Sequence, residues 1–183
     1  MAKLVVTSRG WHETGQALHE VRCALPTARV RRARFLGVLL VDAATEADAL
    51  GLAERVSRAC GSTGHATAVL AEVESELEPI REAALRVGSE QVGPHDSFCF
   101  RITKRGAHRV TTPTPDVEAE IGAALVAALE RRHGTRPRVD LGHPDVTVIA
   151  EVLGPTTAVG IVRKAWRERA EASPVTRPAD GSQ

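Results

Sequence analysis

Two patterns of hydrophobic residues along the chain predict an α+β protein. Short apolar runs indicate buried strands, whereas apolar residues that recur at helical spacing indicate helices packed on a core. In the first half these patterns predict strands over 3–7, 29–34, 35–42 and 65–73. Helices are predicted where apolar residues recur as Leu18, Val21 and Leu25, and again as Leu52, Val56 and Cys60. Two helices on one face of a small sheet is a ferredoxin-like layout, which we assign to residues 1–75.

The second half predicts a longer alternation of helices and strands. In the strand that begins at Phe98, the side chains of Phe98, Phe100 and Ile102 share one face. Arg101 and Arg105 lie on the other face, because successive side chains alternate. The next helix is predicted to begin with Thr114 as its cap and Pro115 in its first turn, and to end at Gly134. Further strands are predicted over 138–141, 146–152 and 158–162. We assign 76–166 to a second domain, and expect the polar tail 167–183 to be disordered.

Composition narrows the possible partners and the location. The 183 residues carry 24 Lys and Arg against 23 Asp and Glu, a net charge of +1, so attraction to a polyanion must come from local patches. The N-terminus has no long apolar run, which predicts neither a signal peptide nor a membrane span. Three widely spaced cysteines, Cys23, Cys60 and Cys99, argue against a disulfide framework and fit the reducing cytoplasm, where we place the protein.

Motifs for catalysis or metal binding are weak in this sequence. No His or Cys residues have metal-ligand spacing, and there is no Walker A, G-x-G-x-x-G or G-x-S-x-G motif, so we predict no metal and no cofactor. Cys99 lies among basic residues and has either a lowered thiol pKa or a structural place between two phenylalanines. Trp11 and His12, next to Gly10, indicate either an exposed loop or packing at a helix entry.

Basic residues supply the strongest functional signal. Two clusters without acidic residues lie in different halves of the chain, and the predicted RNA contacts among them are Arg29, Arg31, Arg32, Arg34, Arg101, Lys104, Arg105, His108 and Arg109. Acidic residues concentrate elsewhere, over 72–82 and 116–120. Such clusters favour phosphate binding. Aromatic residues are few, which argues against stacking along an extended single strand and favours recognition of folded RNA.

The second half resembles a THUMP domain, a module of RNA-modifying proteins. The resemblance rests on the blocks SFCFRITKRGAHR, PDVEAEIGAAL, RVDLGHPDVTVIAEV and TAVGIV, which together span roughly residues 76–165. Gly122 in the second block also matches the family pattern, and we interpret it as a site of close helix packing. The first half, through VVTSRGWHETGQALHEV and RFLGVLLVD, resembles the ferredoxin-like domain that commonly precedes THUMP.

The resemblance implies a non-catalytic, RNA-binding function. The combination is similar to the adaptor proteins for tRNA cytidine N4-acetylation, which implies binding of the tRNA acceptor end and delivery to a separate acetyltransferase. Because the chain ends at Gln183, we expect no ATP or S-adenosylmethionine site and no enzymatic activity. Two alternatives stay open: a stand-alone RNA-modifying enzyme that uses Cys99 or His108, and a protein-interaction module.

Overall fold

The computed structural model describes residues 3–44 and 47–166. The first half contains strands β1 (Leu4–Ser8), β2 (Arg29–Arg32), β3 (Val38–Asp42) and β4 (Thr63–Glu74), and helices α1 (Thr14–Ala24) and α2 (Ala49–Ala59). A short 3-10 helix, Trp11–Glu13, precedes α1. The second half contains strands β5 (Ser97–Arg105), β6 (Arg138–Val139), β7 (Val146–Leu153) and β8 (Thr156–Arg163), and helices α3 (Leu77–Gln91) and α4 (Thr114–His133). The expected disordered tail, 167–183, lies outside the described residues.

The first half has the predicted ferredoxin-like arrangement. Its elements follow one another as strand, helix, strand, strand, helix, strand, and the sheet order β2-β3-β1-β4 is antiparallel throughout. Asp48 caps α2, because its carboxylate accepts hydrogen bonds from the backbone N–H groups of Leu50 and Gly51, both at 3.0 Å. The α+β fold class is therefore confirmed.

The two halves share one eight-stranded sheet in the order β2-β3-β1-β4-β8-β7-β5-β6. Strands β4 and β8 pair antiparallel at the seam, and β7 and β8 form the predicted hairpin, whose turn contains Gly154 with a φ of 77°. The parallel pairings among the described strands are those of β5 with β6 and of β5 with β7. The domain boundary near residue 75 falls between β4 and α3 and stays a prediction, because the sheet itself runs through both halves.

The four α-helices of the described residues cover one face of this sheet, and the main apolar core lies beneath them. The opposite face, which we call the open face, holds a small second cluster of Val5, Val38, Val69 and Ala158. Phe35 covers part of this cluster and reaches the turn after β5, where a Cβ added to Gly106 would lie 2.9 Å from the Phe35 ring. The strand predicted over 35–42 is thus three residues too long, because Phe35 to Gly37 form a turn.

Two details of helix α4 differ from the sequence prediction. The cap is Pro113 and not Thr114, so α4 begins one residue earlier than predicted. Gly122 is not a site of close helix packing, because a Cβ added there would meet no heavy atom within 4 Å. The close approach of α3 and α4 lies at Gly88 instead, where a Cβ would be 2.4 Å from Cδ2 of Leu125.

Candidate nucleic-acid interface

The predicted basic residues of β5 divide between the two faces of the sheet. Arg101 and Arg105 lie on the open face together with Cys99, as the alternation predicted, whereas Phe98 is buried in the core under the helices. Lys104 has the opposite parity, and its ammonium group donates a hydrogen bond to the carbonyl oxygen of Thr112. Lys104 thereby ties the end of β5 to the segment that leads into α4.

Acidic residues from distant segments meet the second basic cluster. Arg101 pairs with Glu118 at 3.0 Å and donates to the carbonyl of Leu141 at 2.7 Å. Arg109 pairs with Glu76 at 2.5 Å, and the hydrogen bond to this carboxylate, with its charge, raises the pKa of the Arg109 guanidinium. The cluster therefore lacks acidic residues only along the sequence. In the folded protein, Glu118 and Glu76 offset much of its positive charge. Arg109 keeps 82% of its side chain exposed.

Arg105 belongs to a triad around a buried carboxylate, which the sequence reasoning missed. Glu151 on β7 is fully buried, and it accepts hydrogen bonds from Arg105 on β5 at 2.5 Å and from His65 on β4 at 2.8 Å. Burial raises the pKa of Glu151, but the hydrogen bonds and charges of His65 and Arg105 outweigh it and hold the pKa below its ordinary value. Thr7 supports the triad, since its Oγ1 lies 3.0 Å from Nδ1 of His65.

His108 lies in the turn after β5, at a cavity of about 560 Å³. Its Nδ1 atom is buried and has no hydrogen-bond partner among the described residues. Glu74, Ser75 and Pro155 form the walls of this cavity together with Arg109. His108 and Arg109 are thus neighbours in space. Glu74 and Glu76 also line this cavity, so its lining carries both positive and negative charge.

The first basic cluster carries more unpaired charge. Arg31 pairs with Asp42 at 3.0 Å. Arg29, Arg32 and Arg34 are exposed, and none of them forms an ion pair with an acid in residues 3–44 and 47–166. The three arginines therefore give the first half a positive surface that the fold does not neutralise.

A groove of about 510 Å³ lies on the open face, over strands β5, β7 and β8. Its charged or titratable lining residues are His65, Arg101, Glu118, His143, Arg163 and Lys164. Arg163 is anchored by its hydrogen bond to the carbonyl of Gln91 at 2.7 Å. The groove has more cationic than acidic side chains, but Arg101 pairs with Glu118 and Arg163 lies 3.6 Å from Asp96, so the fold offsets part of its positive charge.

The surroundings of Cys99, one of the two residues considered for catalysis, argue against a nucleophilic thiolate. Cys99 is buried, and burial raises the pKa of its thiol despite the opposing influence of Thr147 and Arg101, so the lowered pKa considered from the sequence is wrong.

In the described part of the chain, no three His, Cys, Asp or Glu side chains group as metal ligands would. The helices within these same residues are all too short or too polar to cross a membrane.

One sequence signal could have indicated the triad. Glu151 is the single charged residue in the strand VTVIAEVL, and an acid within an otherwise apolar strand is usually buried with a partner. The identity of the partners, His65 and Arg105, could not be read in the same way. They lie 86 and 46 residues away in the chain.

The family comparison assigns the second half. Residues 74–162 match the model of the THUMP domain, and these residues comprise the end of β4, helices α3 and α4, and the strands β5 to β8. The chain therefore contains a THUMP domain, as the sequence blocks predicted. The ferredoxin-like strands β1 to β3 precede it.

Solved structures share the fold of nearly the whole chain. TrmN from Thermus thermophilus is 22% identical, with a TM-score of 0.57 over 86% of this chain and 44% of its own. PH1313 from Pyrococcus horikoshii is 17% identical, with a TM-score of 0.59 over 89% of this chain and 55% of its own. A 4-thiouridine synthetase, solved with RNA and ATP, is 14% identical, with a TM-score of 0.59 over 89% of this chain and 42% of its own.

At these identities the likeness shows a common fold, and this chain spans about half the length of the proteins it resembles. A comparison with curated protein sequences gave no match.

Proposed function

We propose that the protein binds tRNA and presents it to a separate modifying enzyme. The observation that carries the proposal is the THUMP domain at 74–162, preceded by a ferredoxin-like half in one continuous sheet. The same fold occurs in a 4-thiouridine synthetase that was solved in complex with RNA, which supports the same kind of partner for this chain.

The free arginines supply the main electrostatic attraction in this proposal. Arg29, Arg32 and Arg34 are exposed without acidic partners among the described residues, and Arg109 is exposed although paired. Phosphate contacts of this kind position RNA without reading its sequence. Arg101, Lys104, Arg105, His108 and Arg31 stay proposed contacts, but Lys104 and Arg105 also hold the fold together.

Removal of the first-half charges should weaken tRNA binding strongly. We expect the triple variant Arg29→Ala, Arg32→Ala, Arg34→Ala to lose about tenfold or more in affinity for tRNA at moderate salt, because phosphate contacts dominate such affinities. The dependence of log K on log salt should also become shallower, by about 0.9 for each duplex phosphate that the variant no longer neutralises. Fluorescence anisotropy with labelled tRNA over a salt series measures both quantities.

A triple variant of equal charge provides the control. Arg55→Ala, Arg86→Ala and Arg131→Ala remove three positive charges from α2, α3 and α4. This control should bind tRNA almost as well as the wild type. If both triple variants weaken binding equally, net charge alone drives it and the site assignment is wrong. If the wild-type protein does not bind tRNA at low salt, the proposed function itself fails.

The adaptor role is the second part of the proposal, and cytidine N4-acetylation is the modification we propose that it serves. The raised thiol pKa of Cys99 disfavours a nucleophilic thiolate, and no observation places a reacting group beside His108. The protein then contributes binding and positioning, while an acetyltransferase contributes the chemistry.

Nucleoside mass spectrometry tests the adaptor role. In a strain that lacks this protein, we expect N4-acetylcytidine to disappear from tRNA and to return with the wild-type protein. The Arg29, Arg32 and Arg34 triple variant should restore it only weakly. Purified protein incubated with tRNA and acetyl donor should leave the nucleosides unchanged. Acetylcytidine at wild-type levels in the deletion strain would exclude the acetylation role, and a nucleoside changed by the purified protein alone would make it an enzyme.

A further inference from the structure

Two loops meet at one end of the ferredoxin-like half. The backbone N–H of Ser8, at the end of β1, donates to the carbonyl of Gly37 in the β2–β3 turn at 2.8 Å. The Ser8 hydroxyl donates to the carbonyl of Gly10 at 2.8 Å and lies 3.4 Å from that of Gly37. These bonds connect the loop that leads into the Trp11–Glu13 turn with the Phe35–Gly37 turn, so both turns belong to the same end surface of the ferredoxin-like half.

Trp11 is displayed on this surface and not packed into the fold. Its side chain is 74% exposed, and Leu36 in the neighbouring turn is 85% exposed. The packing role considered from the sequence is therefore wrong. The backbone beneath the ring is nevertheless held, because the Thr14 hydroxyl donates to the carbonyl of Trp11 at 2.7 Å. His12 contacts the ring edge to face, with centroids 5.8 Å apart.

Three exposed arginines lie on the segments that carry Trp11 and Leu36. Arg9 and Arg34 are exposed neighbours of Trp11 and Leu36 along their loops, and Arg32 extends to the start of α1, with Nη2 3.6 Å from a Cβ added at Gly15. None of the three pairs with an acid in the described part of the chain. Glu13 is an acid of this surface, and its Oε1 lies 3.7 Å from Nε2 of His12.

We propose that this surface, the Trp11 patch of Arg9, Trp11, Arg32, Arg34 and Leu36, is a site for one unpaired RNA base. Trp11 stacks on the base, and the arginines bind the flanking phosphates. The inference rests on the proposed function and adds a contact that phosphate binding alone does not provide. Stacking on a tryptophan face is tolerant of base identity, and nearby cations strengthen it.

The composition of the patch favours one nucleotide over a longer strand or a protein. The other large apolar side chains that are well exposed in the described residues are aliphatic: Leu36, Val139 and Leu141. Trp11 is the large exposed aromatic side chain among the described residues, and it offers one stacking platform. Three exposed arginines favour a polyanion, whereas the cores of protein interfaces are depleted of charge.

Tryptophan fluorescence isolates the patch, because the chain has two tryptophans and Trp166 is only 4% exposed. In a Trp166→Phe background, we expect an RNA hairpin with unpaired terminal nucleotides to quench Trp11 emission, and a blunt hairpin of the same stem to quench it much less. Trp11→Ala should lose about tenfold in affinity for the first hairpin and about twofold or less for the blunt one, since stacking contributes a factor of this size per base. Trp11→Phe should retain most of the affinity.

Each outcome is decisive. Thermal unfolding of Trp11→Ala close to that of the wild type, expected because the ring is exposed, excludes misfolding as the cause of weaker binding. If Trp11→Ala binds both hairpins like the wild type, the inference is wrong while the proposed function stands. If Trp11→Ala keeps RNA affinity but no longer binds the acetyltransferase, the patch is a protein-docking surface and the inference is overturned. If the wild type binds neither RNA nor tRNA, the proposed function fails with it.

Discussion

Replacement of Gly160 by alanine should lower the free energy of unfolding by about 4 kcal/mol or more, the range of the most disruptive single substitutions. A Cβ at Gly160 would lie 1.8 Å from the carbonyl oxygen of Ala68 on β4. The obstacle is backbone and cannot rotate away, so the strands must separate. Since β4 and β8 join the two halves of the sheet, we expect loss of cooperative unfolding as well, measured by urea denaturation and circular dichroism.

Gly122→Ala is the matched control for this substitution. Gly122 lies inside α4, and a Cβ there meets no heavy atom within 4 Å. Alanine should therefore stabilise the protein by about 0.5–1 kcal/mol through helix propensity alone. If the two variants lose similar stability, the close approach of β4 and β8 is not the cause of the effect at Gly160.

Local periodicity carries most of the fold because each element is specified by residues close to one another. Val117, Ile121, Leu125 and Leu129 step by four along the buried side of α4, and Phe98, Phe100 and Ile102 occupy one face of β5, the latter as predicted. Phe35 is the exception. The apolar run predicts a strand through this residue, but its burial comes from the open face and from the turn at Gly106.

The charge distribution of the surface was much harder to predict, because it depends on contacts between distant segments. The acidic runs are separate from the basic cluster in the sequence but pair with it in the folded protein: Glu118 contacts Arg101, and Glu76 contacts Arg109. An acid-free stretch of sequence is therefore not an acid-free surface. Exposure of Trp11 was equally undetermined, since a helix entry and an open loop share the same local pattern.

Removal of the buried carboxylate at Glu151 is expected to be the second large perturbation. Glu151→Ala leaves His65 and Arg105 without their shared acceptor, and breaking a buried ion pair in this way costs about 3–5 kcal/mol. His65 and Arg105 keep 28% and 22% of their side chains exposed, so water reaches them and we expect the lower end of this range. Chemical denaturation at neutral pH measures the loss. Glu72→Gln, an exposed carboxylate on β4, is the control and should change stability by less than about 0.5 kcal/mol.

The same carboxylate should give the protein an acid-sensitive component of stability. The folded state holds the pKa of Glu151 below its ordinary value of 4.5, so the unfolded chain binds the proton more readily. The stabilisation is therefore fully present above that pH and is lost as the pH falls through the lower, folded-state pKa. Glu151→Gln, which retains the shape but not the charge, should be less stable than the wild type at neutral pH, and the difference should shrink below about pH 4.5. Parallel stability curves for the two proteins down to pH 3 would show that His65 and Arg105 do not favour the charged form of Glu151.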